Sequence, residues 1–272
     1  MSFFKITKPN QSRGPIDTEQ KYDILSCNGL ADICGVQVSA LLRKDEGMRG
    51  TLYGVGVGPG NPKLMTCLAI ETIERCPVIA VPAKGRDYAL SYKIASGMVK
   101  GLEEKECLNL STPMTRNREI LERNYARAAE QIIACLCKGK DVAYLTLGDP
   151  AIYSTYIYIH RMVREQGYPA EMINGVPSFC AAAAKLGESL ADRAQQLHIL
   201  PSSYSIEEAL DYPGTKVLMK AASRLPEVKK LLEERGTDAV MIENCGLEDE
   251  HIYLSVQEMP ETAGYYTIIL VR

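Results

Sequence analysis

The stretch Thr51-Leu-Tyr-Gly-Val-Gly-Val-Gly-Pro-Gly-Asn-Pro62 constrains this chain more than any other. It reads as a short apolar strand that runs into a glycine- and proline-rich turn and then into a helix. Gly54, Gly56, Gly58 and Gly60 fall on alternate positions, where the missing Cβ lets backbone approach a ligand. Asn61 suits the cap of the following helix and Pro62 its first position, so the turn is expected to aim helix N–H groups at whatever it binds. Spacing excludes two common owners of such a loop. The dinucleotide pattern G-x-G-x-x-G fails because its third glycine position holds Pro59 when counted from Gly54 and Asn61 when counted from Gly56. The phosphate loop G-x-x-x-x-G-K-[ST] finds no match in the stretch either.

From Gly50 onward strand and helix patterns alternate. Met65, Ala69 and Ile73 recur at helical spacing beside Leu64 and Leu68, and this helix stops before Pro77. Pro77-Val-Ile-Ala-Val-Pro82 is a continuous apolar run, as a parallel strand buried on both faces requires. The pattern continues with a helix over 90–99, a strand over 107–110 and a long helix over 118–138 that stops at Gly139. A strand over 141–147 then ends in the turn Gly148-Asp149-Pro150, and helical spacing resumes over 152–166. Such alternation predicts an α/β fold with a parallel sheet, whose ligands gather at the carboxyl ends of the strands. The glycine loop and Gly148-Asp149-Pro150 both lie at such ends, which predicts a shared site.

A turn at 167–169 marks the expected domain boundary, giving one α/β domain over 48–168 and a second over 169–272. The second half reads as a strand over 170–173, the turn Asn174-Gly-Val-Pro-Ser178 and an alanine-rich helix ending at Gly187. Strands follow at 196–200, 216–220, 239–243 and 265–271, with a helix at 225–235; the last strand is antiparallel in style, so this half is expected to be mixed. Residues 1–47 carry no motif and read as an extension of unknown role, with the functional part starting near Met48. A length of 272 residues allows one large or two modest domains.

Composition narrows the function classes. The 9 cysteines are odd in number, scattered and never paired as C-x-x-C. Cys135 and Cys137 sit too close on one helix for a metal site, and only His160, His198 and His251 are present to assist. Reduced, mostly buried thiols and no metal are therefore expected. A net charge of -3 argues against broad nucleic-acid binding. The absence of an apolar run of ~18 to 20 residues and of a signal-peptide pattern gives the cytoplasm as the expected location, with no membrane partner.

Three stretches in this order, Gly54-Val-Gly-Val-Gly-Pro-Gly-Asn-Pro62, Leu147-Gly-Asp-Pro-Ala-Ile-Tyr-Ser154 and Gly175-Val-Pro-Ser-Phe-Cys-Ala-Ala-Ala183, resemble the tetrapyrrole methylase family. Pro113-Met-Thr-Arg116, Thr146-Leu-Gly-Asp-Pro150 with Tyr153-Ser154, and Val217-Leu-Met-Lys220 are most similar to its precorrin-2/cobalt-factor II C20-methyltransferases of cobalamin biosynthesis. The resemblance covers nearly all of 50–272 and none of 1–47. It implies the tetrapyrrole methylase fold, two α/β domains with S-adenosylmethionine held in the cleft between them, and a homodimer. Carried over by position, the cofactor contacts fall on Pro59, on Gly148, Asp149, Ile152 and Tyr153, on Pro177 and Ser178, and on Met219 and Lys220. The tetrapyrrole substrate is then expected in a trough of the first domain near Lys84, Met114 and Arg116.

The residue types suit that chemistry. A sulfonium already activates its methyl group, so orientation is the main task, worth on the order of 7 to 11 kcal/mol when well achieved. A carboxylate-fringed macrocycle calls for apolar surface beside Arg and Lys, and Lys84, Arg86, Arg116 and Arg118 are candidates. No residue stands out as a general base; the position after Arg116 is Asn117, with Glu119 the nearest acid. Asp149 and Ser178 also read as plain helix caps, and His160 as a helix-face residue with no catalytic part. Two other readings are a methyltransferase of the same fold acting elsewhere, on another corrin position, ribosomal RNA or diphthine synthesis, and a non-catalytic ligand-binding module.

Overall fold

The computed structural model describes residues 49–111, 115, 117–201 and 204–272. Its first sheet contains β1 (Leu52–Gly56), β2 (Val78–Val81), β3 (Glu106–Asn109), β4 (Val142–Thr146) and β5 (Ala170–Ile173). The order is β3-β2-β4-β1-β5 and every pair is parallel. Alternate side chains serve opposite faces. Val55, Ile79, Val81 and Leu145 pack toward α1 (Cys67–Arg75) and α2 (Leu90–Ser96). Leu52, Val78, Ala80, Val142 and Tyr144 pack toward α3 (Arg118–Leu136) and α4 (Tyr156–Glu165). Burial on both faces explains why these strands read as unbroken apolar runs, each large aliphatic side chain contributing about 1.5 to 3 kcal/mol.

The second sheet contains β6 (Leu197–Pro201), β7 (Thr215–Met219), β8 (Ala239–Glu243), β9 (His251–Tyr253) and β10 (Thr267–Val271) in the order β6-β7-β10-β8-β9. Only β6 and β7 run parallel, so this half is mixed, as its last strand suggested. Helix α5 (Ser178–Leu186) covers one face through Phe179, Ala181 and Ala182. The other face packs against α6 (Ile206–Leu210) and α7 (Leu225–Arg235) through Ile206, Leu225, Val228 and Leu232. Both sheets lie in one unit, Gly47–Arg272.

Three local expectations need correction. Strand β5 hydrogen-bonds along β1, so the sheets change over after Ile173 rather than at 167–169. The Gly167 turn merely closes α4 back onto its own sheet. Asn61 and Pro62 start a single 3-10 turn, Pro62–Leu64; α1 begins afterwards, capped by the Thr66 hydroxyl, which accepts from Ala69 N at 3.1 Å. Helix α4 begins at Tyr156 rather than 152, because Tyr153 adopts a left-handed conformation (φ 49°) that no helix accommodates. Elements α6 and β9 were not foreseen, being too short to carry a period.

At the carboxyl ends of β1, β4 and β5 the backbones interlock. Gly58 and Gly148 exchange both hydrogen bonds, at 3.3 and 2.9 Å. A Cβ on Gly56 would lie 2.5 Å from Gly148 O and 2.7 Å from Gly175 N. Under α4, the Tyr156 hydroxyl donates to Glu171 O at 2.7 Å and therefore accepts from His160 Nδ1 at 3.0 Å. His160 is buried, and burial, followed by Arg164 and Arg161, lowers its pKa below 6.5.

Two outcomes follow from this packing. Gly56→Ala must displace backbone, so it is expected to cost more than about 2 kcal/mol in urea unfolding, against about 1 kcal/mol for Gly187→Ala, whose Cβ meets open space despite a positive φ. Equal costs would contradict the interlock. Unfolded His160 takes up a proton near 6.5 while the folded residue resists it, so its contribution is complete above that pH and declines below it. His160→Gln should accordingly lose less stability than the parent between pH 7.5 and 5.5.

Candidate active site

The carboxyl ends of the first sheet's strands open onto a cleft of about 690 Å³. Parallel register sets Gly56 beside Thr146, so the turns after β1 and β4 emerge together. In the second sheet, Met219 at the end of β7 pairs with Ile268, and Glu243 at the end of β8 pairs with Thr267. The exits of β7 and β8 and the entry to β10 thus share one edge, and that edge forms the facing wall. Pro59, Gly148, Asp149, Ile152, Tyr153, Pro177, Ser178, Met219 and Lys220, expected together from their motifs, all line this one cleft.

The glycines of the opening motif do not, and the expectation that they bring backbone to a ligand is corrected. Only Pro59 of the run 54–60 reaches the wall. Gly60 serves instead to let the second half approach, since a Cβ there would stand 2.5 Å from Cys245 O. Within the motif, Gly56 and Gly60 make room for neighbouring backbone, Gly54 for the Tyr156 ring, and Gly58 adopts a left-handed backbone (φ 79°).

Asp149 is buried and fully engaged. Its Oδ1 accepts from Ala151 N at 2.8 Å, and its Oδ2 from Gly175 N at 3.0 Å and Asn174 Nδ2 at 3.2 Å. It staples the β4 turn to the loop leaving β5 and caps no helix, which corrects the capping reading. Ser178 is likewise the first residue of α5 rather than its cap, a place held by Pro177. Tyr153 and Lys220 face each other from opposite halves in left-handed conformations, φ 49° and 59°. Lys220 Nζ donates to Tyr153 O at 3.3 Å and lies 5.7 Å above the Tyr265 ring, while the Tyr153 hydroxyl donates to Ile199 O at 2.8 Å. Strain of this kind, about 1 to 3 kcal/mol per residue, persists where surrounding contacts over-determine it.

The wall is chemically quiet. Burial pushes the Cys245 thiol up, with Glu250 adding to the effect, and burial likewise raises the Tyr153 and Tyr266 phenols. These groups are neutral at pH 7 and offer no strong nucleophile. Among the described residues no group of three His, Cys, Asp or Glu stands ready to hold a metal ion, and no helix is long and apolar enough to cross a membrane.

The expected trough residues fare differently. Lys84 is exposed and follows Ala83, which lines the cleft, but Lys84 does not itself form the wall. Met114 and Arg116 lie outside the described residues. Arg86 donates to Glu103 O at 2.8 Å and packs over Tyr92, and Arg118 pairs with Glu122 at 2.8 Å. Asn117 caps α3 by accepting from Ile120 N at 3.2 Å, which accounts for an amide there. Sequence reasoning missed Tyr88, Tyr125, Cys245, Tyr265 and Tyr266 on the wall. Tyr265 and Tyr266 were read as the start of the last strand, 265–271, whereas β10 begins at Thr267 and leaves both at its entry.

Residues 51–260 match the family described as Tetrapyrrole (Corrin/Porphyrin) Methylases. The chain is 32% identical over 206 residues to a Methanocaldococcus jannaschii protein named probable cobalt-precorrin-2 C(20)-methyltransferase, covering 75% of this chain and 86% of the relative. Its fold is similar to that of a solved cobalt precorrin-4 methyltransferase, with a TM-score of 0.65 at 20% identity over 81% of this chain and 94% of the other. A similar likeness, TM-score 0.59 at 19% identity over 82% and 97% of the two chains, links it to uroporphyrin-III C-methyl transferase from Thermus thermophilus complexed with S-adenosyl homocysteine. Given a match that covers well over half of the chain and every described strand except β10, this chain belongs to the tetrapyrrole methylase family.

Proposed function

We propose that the protein transfers a methyl group from S-adenosylmethionine to C20 of a precorrin-2 type ring in cobalamin biosynthesis, with the cobalt-containing ring as the favoured substrate. The observation that carries this reading is the convergence of motif residues from four separate turns on one cleft. The naming of the 32% identical relative for cobalt-precorrin-2 supports the choice of ring.

The wall fits such a donor. Its volume of about 690 Å³ suits a nucleoside-sized ligand with room for part of a second molecule. Pro59, Ile152, Pro177 and Met219 give apolar surface, and the strand-end turns offer backbone N–H and C=O groups. When bound, S-adenosylmethionine supplies a methyl group on a positively charged sulfur. The chain's own part is to orient and to exclude side reactions. Asp149 fixes the turn that carries Gly148 and Ile152 against the one that carries Pro177. Lys220, engaged with Tyr153 and Tyr265, holds the second half across the cleft. A protonated Cys245 thiol does not compete for the methyl group. Asp149 is the one carboxylate that the described wall contains, and its engaged oxygens leave the departing ring proton to water or to the ring's own carboxylates. This reading includes a homodimer, which sedimentation velocity tests by the mass of two chains.

Incubation with S-adenosylmethionine and either cobalt-factor II or precorrin-2 should give a mass gain of one methyl and a changed absorption spectrum. No methylation of either ring would overturn the proposal. Asp149→Asn places an amide opposite Gly175 N and Asn174 Nδ2, so it is expected to weaken S-adenosylhomocysteine binding by roughly tenfold or more with the circular dichroism spectrum retained. Unchanged affinity would remove Asp149 from the positioning role.

A further inference from the structure

Resting on that functional reading, we propose that Tyr88 is the platform on which the face of the planar ring stacks. Tyr88 forms part of the cleft wall and yet is 84% exposed, the barest large apolar side chain among the described residues. A ring that is both wall and nearly uncovered stands at the opening. Aromatic rings carry a large burial gain and prefer offset stacking, so an uncovered one beside a cleft is a contact awaiting a flat partner. Its base is anchored. Residues Arg86–Tyr88 form a 3-10 turn, Tyr88 N donates to Gly85 O at 3.1 Å, and the Arg86 guanidinium holds Glu103 O. A residue with a Cβ in place of Gly85 would meet the Tyr88 ring at 3.4 Å; glycine leaves that side open.

The same cleft is also lined by the uncharged residues Leu90, Thr115, Leu121 and Tyr125. Tyr125 is held rigid by stacking on Tyr158, centroids 5.0 Å apart and planes within 6°. The Tyr88 turn leaves β2, which lies on the far side of β4 from β1 and β5 in the strand order. The expected cofactor positions of the first half leave β1 and β4 and follow β5, so ring and donor take different ends of one cleft. Exposed Lys84, on the same turn, supplies positive charge at the rim for a peripheral carboxylate.

The test uses the full chain with cobalt-factor II titrated by absorption and S-adenosylhomocysteine titrated by calorimetry. Tyr88→Leu should weaken ring binding on the order of tenfold, Tyr88→Phe should stay within about twofold of the parent, and the S-adenosylhomocysteine Kd should stay within about twofold in both. Parent-like ring binding by Tyr88→Leu would overturn the platform while leaving the functional reading intact. A parallel fall in S-adenosylhomocysteine affinity would also overturn it, by showing a general disturbance. Failure of the parent to bind the ring would overturn both.

Discussion

Backbone contact between the turns that leave β1, β4 and β5 is the constraint on which the rest of the structure depends. A side chain on Gly56 or Gly175 would run into Gly148 O, Gly148 itself holds a left-handed backbone (φ 65°), and Asp149 ties the second turn to the third. Because these turns cannot separate, their outward groups, Pro59, Ile152 and Pro177, are fixed relative to one another. The second sheet then docks through Gly60 against Cys245 and through the Tyr153–Lys220 contact. The cleft results from where these backbones must stop.

That origin explains the character of the site. A wall assembled from turns presents carbonyls, amides, prolines and neutral phenols rather than acids and bases. Among the described residues the two charged ones that reach it, Asp149 and Lys220, are engaged separately in holding the turns and halves together. Among the described residues this wall offers no activated nucleophile or electrophile of its own. It suits a reaction whose donor arrives activated and whose barrier falls through alignment.

Much of this was legible in the chain. The buried strands were readable because parallel pairing covers both faces, and the gathering of the motif positions at one cleft was readable because short turns at strand ends carry them. What was not legible depended on pairing between distant segments. Ala170–Ile173 looks equally suited to either half, and only its register with β1 assigns it. The Asn61-Pro62 signal is a genuine cap, but of one 3-10 turn, since Met65 returns to an extended conformation before α1. The motif glycines invited a ligand explanation because sequence spacing cannot distinguish close approach to a ligand from close approach to Gly148, Gly175 or Cys245. Tyr88 and Tyr125 carry no motif; both reach the cleft because β2 and β4 pair in one sheet, which sequence spacing does not reveal.

The central claim, one shared cleft formed by turns of both sheets, is tested most directly by hydrogen–deuterium exchange with and without S-adenosylhomocysteine. The account predicts slowed exchange together in the turns after β1, β4 and β7, at the start of α5 and ahead of β10. Protection confined to one sheet's turns, or falling on segments away from these strand ends, would contradict it.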